Sequence, residues 1–154
     1  MKLYLVQHAE AASEHENPQR PLTEAGRQDI QMMAAFIEPL NITVDYLWHS
    51  EKTRAIQTSE VLAEVVKVNE AKMGRDGLNP NDDVKVVREE IALANKDVMI
   101  VGHLPFLGRL ASLLLVGSES ANVVAFKQGG IVCLSCLDDN LWQIDWMVTP
   151  ELFD

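Results

Sequence analysis

Three points in the chain put groups able to handle an oxyanion at the ends of apolar runs. Gln7-His8 closes the run over 2–7, His49-Ser50 closes 44–48 with Arg54 shortly beyond, and Gly102-His103 closes 97–101. A lone histidine at such a place is usually a packed structural residue. Two histidines with an arginine admit another chemistry. One neutral imidazole attacks phosphorus, the other stabilises equatorial oxygens, and the guanidinium grips two oxygens at once. That chemistry requires His8, His103 and Arg54, far apart in sequence, to surround one anion-sized hollow.

The elements that would bring them together are legible in the residue pattern. Residues 2–7 read as a strand and the polar stretch 13–21 as a loop. Thr23 reads as the N-cap of a helix over 24 to about 38, with Ile30, Met33, Ala34 and Ile37 at helical spacing and Pro39 as its stop. A second unit follows, with a strand over 44–48, Ser50 as a cap, and an amphipathic helix from 51 to about 66. Residues 74–83 are rich in turn formers. A third helix is expected from 81–83 to 94, with acidic residues at its start suiting the helix dipole. Strand 97–101 leads through Gly102-His103-Leu104-Pro105 into a helix ending near 115. Residues 123–148 alternate around Gly129-Gly130 and 138–140, which predicts two or three short closing strands. Strands alternating with helices predict one α/β domain over 1–154, a three-layer α/β/α sandwich on a mainly parallel sheet. Ligands of such sheets gather beyond the carboxyl ends of the strands, where helix N-termini offer free N–H groups to anions.

Composition narrows the partners. At 154 residues and 47% hydrophobic content the chain suits one buried core. No apolar run approaches the ~20 residues that span a bilayer, and nothing near Met1 reads as a signal peptide, so a cytoplasmic location is expected, without a membrane partner. A net charge of -10 disfavours nucleic acid, and it obliges any phosphate site to be a local concentration of a few of the 13 Lys and Arg residues. Cys133 and Cys136 fall on opposite faces of a strand and read as structural thiols. Trp142 and Trp146 would share one face of a strand and belong to the core. His49 reads as strand-end packing, while His15 and the acidic residues at 14–16 and 82–83 read as solvated.

Four segments, in order, resemble the histidine phosphatase superfamily. Val6-Gln7-His8-Ala9-Glu10 resembles its Arg-His-Gly signature, and Ser50-Glu51-Lys52-Thr53-Arg54-Ala55-Ile56-Gln57-Thr58 is similar to its Ser-Pro-x-x-Arg-Ala-x-Gln-Thr motif. Val101-Gly102-His103-Leu104-Pro105 resembles the second-histidine motif, and Arg20-Pro21-Leu22-Thr23-Glu24-Ala25-Gly26 is similar to the Arg-Pro-Leu-Thr-x-x-Gly segment of the short, SixA-type phosphohistidine phosphatases. The resemblance implies a phosphoglycerate-mutase-like fold, His8 as the phosphorylated nucleophile, Arg54 and His103 lining the phosphate pocket, and Arg20 as a further positive charge. It also implies a metal-independent enzyme with no cofactor. The partner it implies is a phosphorylated protein such as a histidine phosphotransfer domain, or a small phosphorylated substrate.

The departures from the family carry their own expectations. Gln7 replaces a permanent cation by a neutral amide that still offers donors, which lowers activity or leaves a phosphate-binding module without turnover. Ala9 for the usual glycine is tolerated if the backbone there has a negative φ. Glu51 for the motif proline suits a helix start. Where larger relatives carry a general acid, the aligned position is Gly77, with only Asp76 nearby. A phosphoimidazole can leave without a strong acid and an alkoxide cannot, so phosphohistidine is favoured over a small phosphomonoester. The short chain also leaves little for a lid over the site.

Overall fold

The computed structural model describes residues 1–153. Four parallel strands form the heart of the sheet: β1 (Lys2–Gln7), β2 (Thr43–His49), β3 (Lys67–Gly74) and β4 (Val98–Gly102). Strands β5 (Ile131–Cys136) and β6 (Trp142–Val148) add an antiparallel edge, giving the order β3-β2-β4-β1-β5-β6. Alternation along each strand divides the core into two layers. Tyr4, Val6, Met99, Val101 and Cys133 face helices α1 (Glu24–Ile37) and α2 (Thr53–Leu62) through Ile30, Met33, Ala55 and Leu62. Leu3, Leu5, Val98, Ile100 and Leu134 face α3 (Val84–Ala94) and α4 (Phe106–Val116) through Val87, Ile91, Phe106 and Leu110. The expected three-layer α/β/α architecture is present.

Several local expectations shift. Pro39 lies in a 3-10 turn, Glu38–Leu40, that follows α1. Helix α2 begins at Thr53 with Lys52 at its N-cap, two residues later than expected, and the Ser50 hydroxyl accepts from the Lys52 N–H just ahead of it. Glu51 therefore precedes the helix, and α2 has no acidic residue in its first turn. Helix α3 begins at Val84, with Asp83 as a cap whose carboxylate accepts from the Lys85 N–H at 3.0 Å. Residues 67–74, of which the sequence pattern assigns only Gly74, to a turn-rich stretch, form edge strand β3. Its side chains are nearly all exposed, so no hydrophobic alternation announces it. Residues 123–130 do not form a strand.

The two tryptophans of β6 do not share a face. Cys133 pairs with Trp146 while Leu134 pairs with Ile144, so Asp145 is an extra residue that inverts the alternation. Trp146 packs with Tyr4 on the α1/α2 side, ring centroids 6.1 Å apart, and Trp142 packs on the α3/α4 side. Cys133 is buried and Cys136 half-buried, and both are free thiols.

Candidate active site

The ladders that build the sheet run one residue past the strand ends and fix the site's backbone. The His8 N–H donates to the Gly102 carbonyl at 3.0 Å and the Ser50 N–H to the Val101 carbonyl at 3.1 Å, so β1 and β2 are both tied to β4 just below His103. Gly129, at φ +76, donates its N–H to the carbonyls of Gln7 (2.9 Å) and His8 (3.2 Å). The expected convergence follows: the rings of His8 and His103 stand with centroids 5.1 Å apart.

His8 is held in a defined orientation. Its Nδ1 lies 2.7 Å from the Ala9 carbonyl, which only accepts, so Nδ1 carries the proton and Nε2 keeps its lone pair. Burial, together with the charges of Arg54 and Arg20, lowers its pKa to about 4 against the partial support of the Ala9 carbonyl. Burial and then Arg54 lower that of His103 to about 3. Both rings are neutral at pH 7. Arg54 is itself destabilised in its charged form by burial and by Arg20, with Glu14 offsetting this in part. The charges of Arg54 and Arg20 act on both imidazoles.

Arg20 reaches this place by a loop of its own. Ala12 and Pro21 close the loop with a 2.8 Å backbone bond, Ala11 bridges Leu22, and the Arg20 Nε donates to the Ala12 carbonyl at 2.9 Å. Arg20 has φ +48, a left-handed conformation held by those bonds.

Two residues of the second motif act on the backbone, and a third on the side chain of His103. Gln57 Oε1 accepts from the Leu22 N–H at 2.8 Å, and Thr58 Oγ1 accepts from the Ala9 N–H at 3.1 Å while donating to the Arg54 carbonyl at 2.8 Å. Ser50 Oγ lies 2.8 Å from His103 Nε2. The residue pattern marks Ser50 as a polar strand-end residue and helix cap and does not foreshadow these positioning contacts. The recurrent motif was the one available signal.

Gly26 explains the end of the Arg20 segment. A Cβ there would collide with the Glu10 carbonyl oxygen, just past His8, and Thr23 bonds to the same carbonyl through its N–H at 3.0 Å. Gly→Ala within a helix usually stabilises by up to ~1 kcal/mol. Gly26→Ala is expected to do the opposite, costing about 1–3 kcal/mol by overpacking, read as a lower midpoint in urea denaturation.

Every described buried side-chain nitrogen or oxygen without a partner belongs to this group: Gln7 Oε1, Arg54 Nε and His103 Nδ1. Buried polar atoms are nearly always paired, so three orphans gathered on these residues set the place apart from the rest of the core. The Gln7 amide offers its N–H donors by turning over. Ala9 has no positive φ, so its methyl group is accommodated. Gly77 has φ +88, and Asp76 is exposed. His49 is buried outside the cluster, its Nδ1 bonded to the Ser50 carbonyl at 3.0 Å, and His15 is exposed. Among the described residues no cluster of three or more His, Cys, Asp or Glu is arranged to hold a metal ion, and no helix is long and apolar enough to cross a membrane.

Neutral burial of the two imidazoles gives stability a pH dependence. Unfolded histidine takes up a proton near pH 6.5, whereas the folded rings do so near 4 and 3, so the unfolded chain binds more protons below 6.5. Folding stability is full above that pH and falls as pH drops toward 4, by at most about 1.4 kcal/mol per unit per ring. Urea midpoints measured between about pH 7 and pH 5 should show this slope, reduced in His103→Asn.

A mainly parallel α/β/α sheet that brings two neutral imidazoles together at the carboxyl ends of its strands is the class of protein these features define. Residues 3–76 match the histidine phosphatase superfamily (branch 1). The phosphohistidine phosphatase SixA of Escherichia coli (strain K12) is 24% identical over 155 residues, covering 97% of this chain and 94% of that one. A structure of the protein histidine phosphatase SixA complexed with tungstate superposes with a TM-score of 0.86 at 23% identity, covering all of both chains. The α-ribazole-5′-P phosphatase fold from Escherichia coli is also similar, with a TM-score of 0.77, 15% identity and coverage of 97% of this chain and 98% of that one.

Proposed function

We propose that the protein is a phosphohistidine phosphatase that removes the phosphoryl group from a phosphorylated protein through a covalent phospho-His8 intermediate. The observation that carries this is the orientation of His8, its Nδ1 pinned to the Ala9 carbonyl and its Nε2 free beside His103. In-line attack forms the Nε2–P bond as the substrate's own N–P bond breaks. The guanidiniums of Arg54 and Arg20, His103 and the Gln7 amide hold the oxygens. Water then attacks the phosphorus of phospho-His8, releasing phosphate and restoring the imidazole. Gly77 stands at the aligned position of the general acid and the neighbouring Asp76 is exposed, which suits an imidazole leaving group better than an alkoxide. Tungstate, the ligand named with the similar SixA structure, is a tetrahedral oxyanion and supports the same kind of ligand here. The E. coli relative supports phosphohistidine as the substrate, and the similar structure named as a protein histidine phosphatase supports a protein as its carrier.

The test is to compare phosphate release from a phosphohistidine peptide, p-nitrophenyl phosphate and a sugar phosphate, using wild type and His8→Ala. Preference for the peptide together with loss in the variant is the expected result. Release that survives the alanine change overturns the mechanism, and preference for the esters reassigns the protein as a small-molecule phosphomonoesterase.

A second reading has its own observation. Gln7 Oε1 is buried with no donor where the family places a cation. In this reading the pocket recognises phosphorylated protein without turning it over.

A further inference from the structure

Ser50 is 1% exposed and its hydroxyl has two partners. The Lys52 backbone N–H donates to Oγ at 3.2 Å, occupying a lone pair, and His103 Nε2 lies 2.8 Å away. No other acceptor is within reach of the hydroxyl proton among the described hydrogen bonds, so the arrangement that satisfies every group sends it to Nε2. Donation in the other direction, from an Nε2–H, would strand the serine proton in a buried place.

Burial and the neighbouring cations keep His103 neutral, so the ring has one N–H to offer. Which nitrogen carries it decides what the rim presents. A proton on Nδ1 makes the orphaned, buried Nδ1 a donor to a phosphoryl oxygen. A bare Nδ1 would face that oxygen with a lone pair, and two lone pairs repel.

We propose that Ser50 is a positioning residue that fixes His103 in its Nδ1–H tautomer, making the second histidine a donor toward a phosphoryl oxygen. The inference rests on the phosphatase reading above, but its geometry comes from the Lys52–Ser50–His103 chain of contacts alone.

The experiment records long-range proton–nitrogen correlation spectra of the histidines in the ¹⁵N-labelled full chain near neutral pH, with His103 assigned through His103→Asn. The expected wild-type spectrum has His103 protonated at Nδ1 and bare at Nε2. A proton on Nε2 in wild type overturns the proposal, whether or not any variant folds. In Ser50→Ala the single tautomer should be lost and kcat for phosphohistidine peptide should fall about tenfold to hundredfold, with KM little changed. Ser50→Thr, which keeps the hydroxyl, should restore both. A kcat loss in Ser50→Ala with the wild-type tautomer retained would make Ser50 a packing residue and also overturn the proposal. The spectra need no turnover, so the two readings fail separately. Undiminished phosphate release by His8→Ala removes the phosphatase mechanism and leaves the tautomer measured, whereas an Nε2 proton in a protein silenced by His8→Ala removes only the role of Ser50.

Discussion

Alanine in place of His8 is expected to lower phosphate release from a phosphohistidine peptide by about 10⁴- to 10⁶-fold, the scale on which loss of a nucleophile is felt. The size follows from how completely the site commits to one atom. Nδ1 is bound to the Ala9 carbonyl, and the Thr58 hydroxyl holds the Ala9 N–H, so the imidazole, its backbone and its free Nε2 form one rigid unit. His103 does not substitute, because its Nε2 is engaged by Ser50. What remains in the variant is the electrostatic hold of Arg54 and Arg20, which binds phosphate without opening a covalent path. The phosphoenzyme supplies a second readout: wild type mixed with substrate should carry an acid-labile, alkali-stable label, and His8→Ala should carry none. A label of equal size in the variant would place the nucleophile elsewhere.

Gln7→Arg is expected to raise kcat by about tenfold to hundredfold. One oxyanion donor commonly contributes about 10²- to 10³-fold in rate, and the glutamine amide already supplies part of that. The side chain is 9% exposed at the carboxyl end of β1, its backbone paired with Gly102, so a longer cationic side chain is delivered to the same rim as Arg54 and Arg20. A third guanidinium among two others costs stability through like-charge repulsion, so the variant should gain rate and lose urea resistance together. Steady-state kinetics and the affinity for inorganic phosphate are the measurements. A wild type that binds phosphate but does not turn over, converted to a phosphatase by this one change at similar phosphate affinity, would establish the binding-module reading. No change in rate would show that the glutamine is not what limits the reaction.

Side-chain periodicity determined a good part of this protein. Strands β1, β2 and β4 and helices α1, α3 and α4 are legible because each has a buried stripe or run, and burial is what selects apolar residues at fixed spacing. His8, Arg54 and His103 are legible because their chemistry is rare at strand ends and helix starts, and Arg20 only through the segment that resembles the family. Strand β3 is not legible: an edge strand with exposed faces needs no hydrophobic alternation, and its pairing with β2 is a backbone property. Trp142 and Trp146 read as one face because period-two counting assumes an unbroken ladder, and the extra residue Asp145 inserts half a period.

At the site, the sequence named which groups were chemically competent. Only the tertiary structure decided which atoms they present, because that depends on contacts between residues distant in the chain. The Ala9 carbonyl and Thr58 decide that His8 shows Nε2, Ser50 and β4 decide how His103 is held, and the missing Cβ of Gly26 lets α1 seat against the Glu10 backbone. Composition and spacing carry information about surfaces and periodicity. Tautomers, lone pairs and clearances between segments are fixed only when the sheet brings those segments within hydrogen-bonding distance.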